Sequence, residues 1–202
     1  MASQPLPVAG PAHERADAAR NREKILGAAR RLVERHGIEH VSMDMLAAEA
    51  GVGKGTIFRR FGDRAGLAHA LLDDHETAFQ EAFIRGEPPL GPGAPPVERL
   101  RAFGHAMIEI LEQHGDVILA AESGSPCARF RSPAFRAHRA HVTSLLAEID
   151  PRLDAEYHAD SLLAVLAADQ HRHLRHERGM PVERLRTGWD SVVASVEALA
   201  GR

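Results

Sequence analysis

The chain has 202 residues, 44 % hydrophobic and 26 % charged, with a formal net charge of -3. That is the balance of a globular protein, long enough for one large domain or two small ones, and it excludes a disordered or highly basic chain. One cysteine, Cys127, excludes an intramolecular disulfide framework and fits a reducing cytoplasm. No apolar run approaches the roughly 18 residues that span a bilayer. The opening MASQPLPVAGPAHERADAARN lacks the apolar core of a secretory signal, so the expectation is a cytoplasmic protein with no membrane partner.

Residues 1–18 carry Pro5, Pro7, Gly10 and Pro11 with little periodicity and read as a mobile arm. Ile25, Leu26, Ala29, Leu32 and Val33 then fall on one face of a helix that Gly37 is placed to end. Ser42 is an N-cap candidate for a short helix with Met43, Leu46, Ala47 and Ala50 inward. Gly51-Val52-Gly53 leaves about three residues before a two-turn helix, Lys54 to Phe61, which Gly62 stops. Asp63 is a cap for a fourth helix, with Leu67, Leu71, Ala78 and Ala82 near one face.

The segment Gly86–Pro96 cannot continue a helix and is the clearest internal boundary. Five more helical stretches follow, at about 97–113, 115–123, 133–149, 154–178 and 181–200, with Pro133 and Pro181 at first-turn positions. No stretch alternates as a strand would. The expected architecture is all-α, about nine helices, with a front domain over 19–80 and a larger rear domain over 81–202.

Charge supports the division. Between His13 and Arg64 eleven Lys or Arg face eight Asp or Glu, a surplus of three that leaves −6 for the remainder. Within that span, residues 43–62 form a helix-turn-helix. Ile57 and Phe61, four apart, can anchor the second helix inward while Gly55, Thr56, Arg59 and Arg60 share the outer face. Arginine can pair bidentately with guanine, and threonine can meet a phosphate or a thymine methyl. Lys54 and the helix N-termini near Ser42 and Arg64 can reach phosphates. Such helix pairs also serve as plain packing units, and adjacent arginines as solvated faces, so the residues alone leave both readings open.

Residues 20–75 contain ILGAARRLVERHG, VSMDMLAAEAGV and GKGTIFRRFGDRAGL, in an order and spacing that resembles the DNA-binding domain of TetR-type transcriptional regulators. The resemblance implies that Lys54, Gly55, Thr56, Phe58, Arg59 and Arg60 line double-stranded operator DNA and that Ser42 and Arg64 hold backbone phosphates. Phe58 stands where the family commonly has tyrosine, so only apolar contact is expected there. Gly53, where many relatives have serine, leaves the recognition helix with a weaker side-chain cap.

Two copies held ~34 Å apart would reach successive turns of a palindromic site. Leu162, Leu163, Val165 and Leu166 on one late helix, and Leu185, Trp189, Val192, Val193 and Val196 on the other, are the candidate homodimer clamp, by the family's habit. Of these, Leu162, Leu166, Trp189, Val192, Val193 and Val196 are the chosen interface set; the same stripes would equally suit an internal core. The resemblance further implies a cavity for a small-molecule effector, with Phe103, Met107, Leu111, Ile118, Phe135, His138 and Val142 as candidate lining. His105, Glu109, Glu122, His138 and His141 are the polar candidates. An effector favouring a conformation with misplaced recognition helices would lower DNA affinity, and the fourth helix is the expected link.

Other chemistry is thinly represented. His138/His141 and His171/His173/His176 have helical spacing, but HExxH, CxxC and Cys-His clusters are absent, so no metal is expected. Cys127 near Arg129 and Arg131 is an incidental cysteine or a redox group. Without GxSxG, a P-loop or a strand-to-helix GxGxxG, neither catalytic residues nor a cofactor is expected. The other class kept open is a ligand-binding or protein-interaction module without operator recognition.

Overall fold

The computed structural model describes residues 11–125 and 127–200, all helix, turn and loop, with no strand among them. The chain divides into two compact units, at Leu71/Leu72. The first contains α1 (Pro11–His36), a 3-10 turn (Ile38–His40), α2 (Met43–Ala50), α3 (Lys54–Phe61) and the start of α4 (Arg64–Arg85). Helix α1 begins at Pro11, within the expected arm over 1–18. Its proline is tolerated in a first helical turn, and the following AHERADAAR is rich in good helix formers. The remainder of that arm, residues 1–10, lies outside the described residues.

The first unit's core is what the helical periodicity predicts. Ile25, Leu26, Ala28, Ala29 and Leu32 of α1 are buried together with Leu46, Ala47 and Ala50 of α2, Ile57 and Phe61 of α3, and Leu67 and Leu71 of α4. Met43 and Val33 are half-buried at its rim.

The second unit comprises the rest of α4, then α5 (Pro96–Glu122), α6 (Ala128–Arg131), α7 (Pro133–Ile149), α8 (Ala155–Val165), α9 (Ala168–Arg172) and α10 (Val182–Ala200). The break between units falls inside α4, and Gly86–Pro96 is a connection within the second unit. The reason is burial. Phe79 and Phe83, rather than Ala78 and Ala82, are the inward positions of this half of α4, and they join Phe103, Met107, Leu145 and Trp189 in the second core. Ala78 is exposed.

Two helical boundaries differ from the periodicity. The expected helices at 97–113 and 115–123 are one, α5, which runs through Gly115. A lone helical glycine costs only about 1 kcal/mol, less than is gained by burying Leu111 before it and Ala121 after it. Conversely, the expected helix 154–178 breaks at Leu166–Ala167, where the backbone of Ala167 is extended (ψ 143°). Leu166, Ala167 and Ala168 are all buried, a wider arc than one helical face covers. Arg129 donates from Nη2 to the Leu163 carbonyl at 2.6 Å, meeting a carbonyl in the last turn of α8. Helix α9 continues as a π turn, His173–Glu177.

Helix α10 packs on α5. At their crossing a Cβ on Gly104 would stand 1.9 Å from Trp189 Cε2. The indole is held in place by its Nε1 donating to the Arg101 carbonyl at 3.1 Å. Gly104→Ala is therefore expected to destabilise the protein by about 1–3 kcal/mol, the usual cost of overpacking a tight core. Equilibrium urea unfolding checks this.

Candidate nucleic-acid interface

The turn between α2 and α3 is built from its ends. Ser42 caps α2, its hydroxyl accepting from the Met45 N–H at 3.1 Å. Gly51 ends α2 in the left-handed region (φ 62°, ψ 41°), where a side chain would be strained, and its N–H returns to the Ala47 and Ala48 carbonyls. Gly53 starts α3 without a side-chain cap. The cap of α4 is Asp63, whose Oδ1 accepts from the Gly66 N–H at 2.9 Å.

On α3, Ile57 (0 % exposed) and Phe61 (7 %) face the core. Lys54, Gly55, Phe58, Arg59 and Arg60 are exposed and Thr56 is half-buried. The cations on this face differ in their attachments. Lys54 Nζ lies 2.6 Å from Asp44 Oδ1 and 5.9 Å from the centroid of the Phe58 ring, which is 45 % exposed. Arg60 donates from Nη1 to the Ala18 carbonyl at 3.1 Å, tying α3 to α1. Arg64 donates to the Glu39 carbonyl at 2.8 Å. Arg59 has no protein partner among the described residues. The periodicity identifies which residues face outward; the tethers of Lys54, Arg60 and Arg64 depend on tertiary placement and left no signal in it.

Helices α1 and α2 are clamped by Glu49, which meets Arg31 at 3.1 Å and Arg35 at 3.0 Å. Hydrogen bonds from Arg35 and then Arg31 hold its carboxyl below the usual carboxylate range. A carboxyl with a lowered folded value stabilises the fold above its unfolded value, and that contribution fades as pH falls through the folded one. Glu49→Gln should therefore weaken the first unit at neutral pH, with the gap to wild type closing on acidification below about 4.5. Urea melts across pH, followed by amide NMR signals of α1 and α2, check it.

In the second unit, Phe103, Met107, Leu111, Phe135 and Val142 belong to one buried cluster, with Ile118 packed against it. His138 is edge-on to Phe79, Phe83 and Phe103, at ring separations of 5.3, 6.1 and 5.7 Å. Two polar candidates are engaged elsewhere: His105 lies 2.9 Å from Asp190, and Glu109 accepts from Arg186 at 2.8 Å. Glu122 is largely buried, which pushes its carboxyl up. His141 is pushed down to about 4, first by burial and then by the charges of Arg99 and His138.

The chosen interface residues need correction. Leu162, Leu166, Trp189, Val193 and Val196 are buried in the chain's own core, and Val192 is packed against it. A dimer through the five buried side chains would require them to leave that core. The outward positions of those helices are instead Tyr157, Ser161, Ala164 and Val165 on α8, and Thr187, Ser191, Ala194, Ser195 and Ala198 on α10.

Of the three late histidines, His171 Nε2 lies 2.7 Å from Glu112, and His173 Nδ1 lies 2.7 Å from Glu177. No group of three His, Cys, Asp or Glu side chains suited to a metal occurs among the described residues. Cys127 is exposed, and the neighbouring Arg129 is turned to Leu163 and the Phe135 ring. No described helix is long and apolar enough to cross a membrane.

A short capped helix, a glycine turn and a second helix with its cations outward define a helix-turn-helix protein of the kind that places a helix in the major groove. Residues 25–71 match the family described as bacterial regulatory proteins, tetR family. The chain is 24 % identical over 183 residues to the HTH-type transcriptional regulator SAR2658 of Staphylococcus aureus (strain MRSA252), covering 85 % of this chain and 91 % of that one. In fold it is similar to a TetR transcription regulator from Haloarcula marismortui (TM-score 0.65, 18 % identity, 88 % and 98 % covered). It is also similar to SmeT, the repressor of the Stenotrophomonas maltophilia multidrug efflux pump SmeDEF (TM-score 0.61, 19 % identity, 86 % and 88 % covered). Residues 25–71 are thus similar to the tetR-type DNA-binding domain, and most of the chain is similar to HTH-type transcriptional regulators.

Proposed function

We propose that the protein is a homodimeric repressor that leaves a palindromic operator when a small-molecule effector binds its second unit. The observation that carries this reading is the outward face of α3, where Arg59 and Arg60 stand opposite the anchors Ile57 and Phe61. Arg59, uncommitted within the protein, reads a base edge. Thr56 and Gly55 allow close approach, Phe58 meets a thymine methyl, and Lys54, Arg64 and the Ser42 hydroxyl engage phosphates. Gly53 leaves the first N–H groups of α3 open to the backbone.

The dimer forms through the outward faces of α8 and α10, whose small residues Ala164, Ser191, Ala194 and Ser195 let helices approach closely. Effector binding in the Phe103–Val142 cluster acts through α4, which supplies Leu67 and Leu71 to one core and Phe79 and Phe83 to the other. Support for the effector comes from a fold relative, SmeT, whose complex with triclosan is among the similar structures (TM-score 0.61).

Fluorescence anisotropy with the DNA upstream of the protein's own gene tests the reading. The wild type should bind that duplex more tightly than a scrambled one. Arg59→Ala should lose discrimination by about 1–3 kcal/mol, roughly 5- to 150-fold, with its melting temperature unchanged. Equal affinity of the wild type for both duplexes would exclude operator recognition and leave a ligand-binding module.

A further inference from the structure

Three helices of the second unit bring four polar side chains to its core: Glu76 of α4, Arg99 of α5, and His138 and His141 of α7. They are not equally served. The Glu76 carboxylate accepts from Gln80 Nε2 at 2.6 Å and has His138 Nε2 at 2.9 Å, though out of line for a hydrogen bond. Burial works to raise its pKa, but the His138 contact and Gln80 leave it lowered, so it stays ionised and occupied.

Arg99 is different. It donates once, from Nη2 to the Phe83 carbonyl at 3.2 Å, and its buried Nε finds no acceptor among the described residues. No described carboxylate pairs with it. His141 Nε2 is likewise buried and unpartnered, while its ring stacks on Phe83 with centroids 4.3 Å apart and planes 24° apart. Arg99 and His141 thus border the same phenylalanine, each with a nitrogen unmet. Phe79 and Phe83 lie 5.2 Å apart, and each is within 5.8 Å of Phe103; the three rings are buried against one another, so a ligand seats its own ring by parting them.

Leaving a buried cationic N–H without an acceptor is unfavourable, and supplying an anion offsets it. The same anion would reverse the influence of Arg99 that helps keep His141 neutral. A cationic ligand would find Glu76 already taken, and a bare inorganic anion would leave the phenyl surfaces unused. We propose that this α4–α5–α7 cluster takes an organic monoanion with an aromatic body, an aryl carboxylate or its like, its charge received by Arg99 and His141 and its ring by Phe79, Phe83 and Phe103. This rests on the effector reading above and names the chemistry of that effector.

Naphthalene-2-carboxylate and its neutral amide are suitable probes, titrated into the full-length protein by calorimetry and, separately, into its complex with labelled upstream DNA. The acid should bind at least tenfold more tightly than the amide. Arg99→Gln should weaken the acid at least tenfold and leave the amide unchanged, while Arg99→Lys, which keeps the charge, retains most of the affinity. If Arg99→Gln fails to fold, as judged by circular dichroism, His141→Gln decides, with the same selective loss expected. Equal affinities for acid and amide, no binding of the acid at millimolar concentration, or an unchanged affinity in the folded variants would overturn the proposal. Selective acid binding that leaves the DNA bound would support the anion site and overturn the release mechanism instead.

Discussion

The helix-turn-helix depends on how firmly its eight-residue second helix, α3, is seated. A helix as short as α3 is not stable alone, since nucleation costs more than two turns return. Its hold comes from Ile57 and Phe61, each worth about 1.5–3 kcal/mol of burial, on a helix that packs against α2. That anchoring also fixes rotation: with those side chains inward, Arg59 and Arg60 have no other direction to face. Ser42, Gly51 and Asp63 then set where the neighbouring helices start and stop, so aim and anchorage come from the same few residues.

The second unit solves a different problem. Its core must be solid enough to hold long helices and still admit polar groups. Trp189 against Gly104 and the Leu145–Leu146–Leu163 packing supply the solidity. The surrounding ion pairs, such as Glu112 with Arg175 at 2.6 Å and Arg139 with Asp160 at 2.8 Å, lie toward the surface and tie helix to helix. Two of the unit's polar side chains, His138 and His141, meet the Phe83 ring, on the part of α4 that belongs to this unit.

The sequence was most legible where a single periodicity and a cap coincide. Helices α2 and α3, their glycine turn and the cap of α4 by Asp63 follow from residue type and spacing. Legibility failed where tertiary burial outweighs local preference. Gly115 reads as a break yet is carried through by burial on both sides, and Leu166–Ala168 reads as helix yet breaks to bury three successive residues. The apolar stripes on α8 and α10 were visible, but periodicity cannot say whether a stripe meets its own chain or another. On α3, outward orientation was legible and attachment was not: nothing local links Arg60 to Ala18 or Arg64 to Glu39.

Those attachments have a consequence for how the free protein differs from the DNA-bound one. A long cationic side chain normally surrenders rotamer freedom on docking, a cost of about 0.5–1.5 kcal/mol for each one immobilised. Lys54, braced between Asp44 and the Phe58 ring, and Arg60 and Arg64, each held by a backbone carbonyl, have already surrendered much of theirs during folding. The outward face of α3 is thus largely cast in advance, and Arg59, without a protein partner among the described residues, keeps its freedom to adapt.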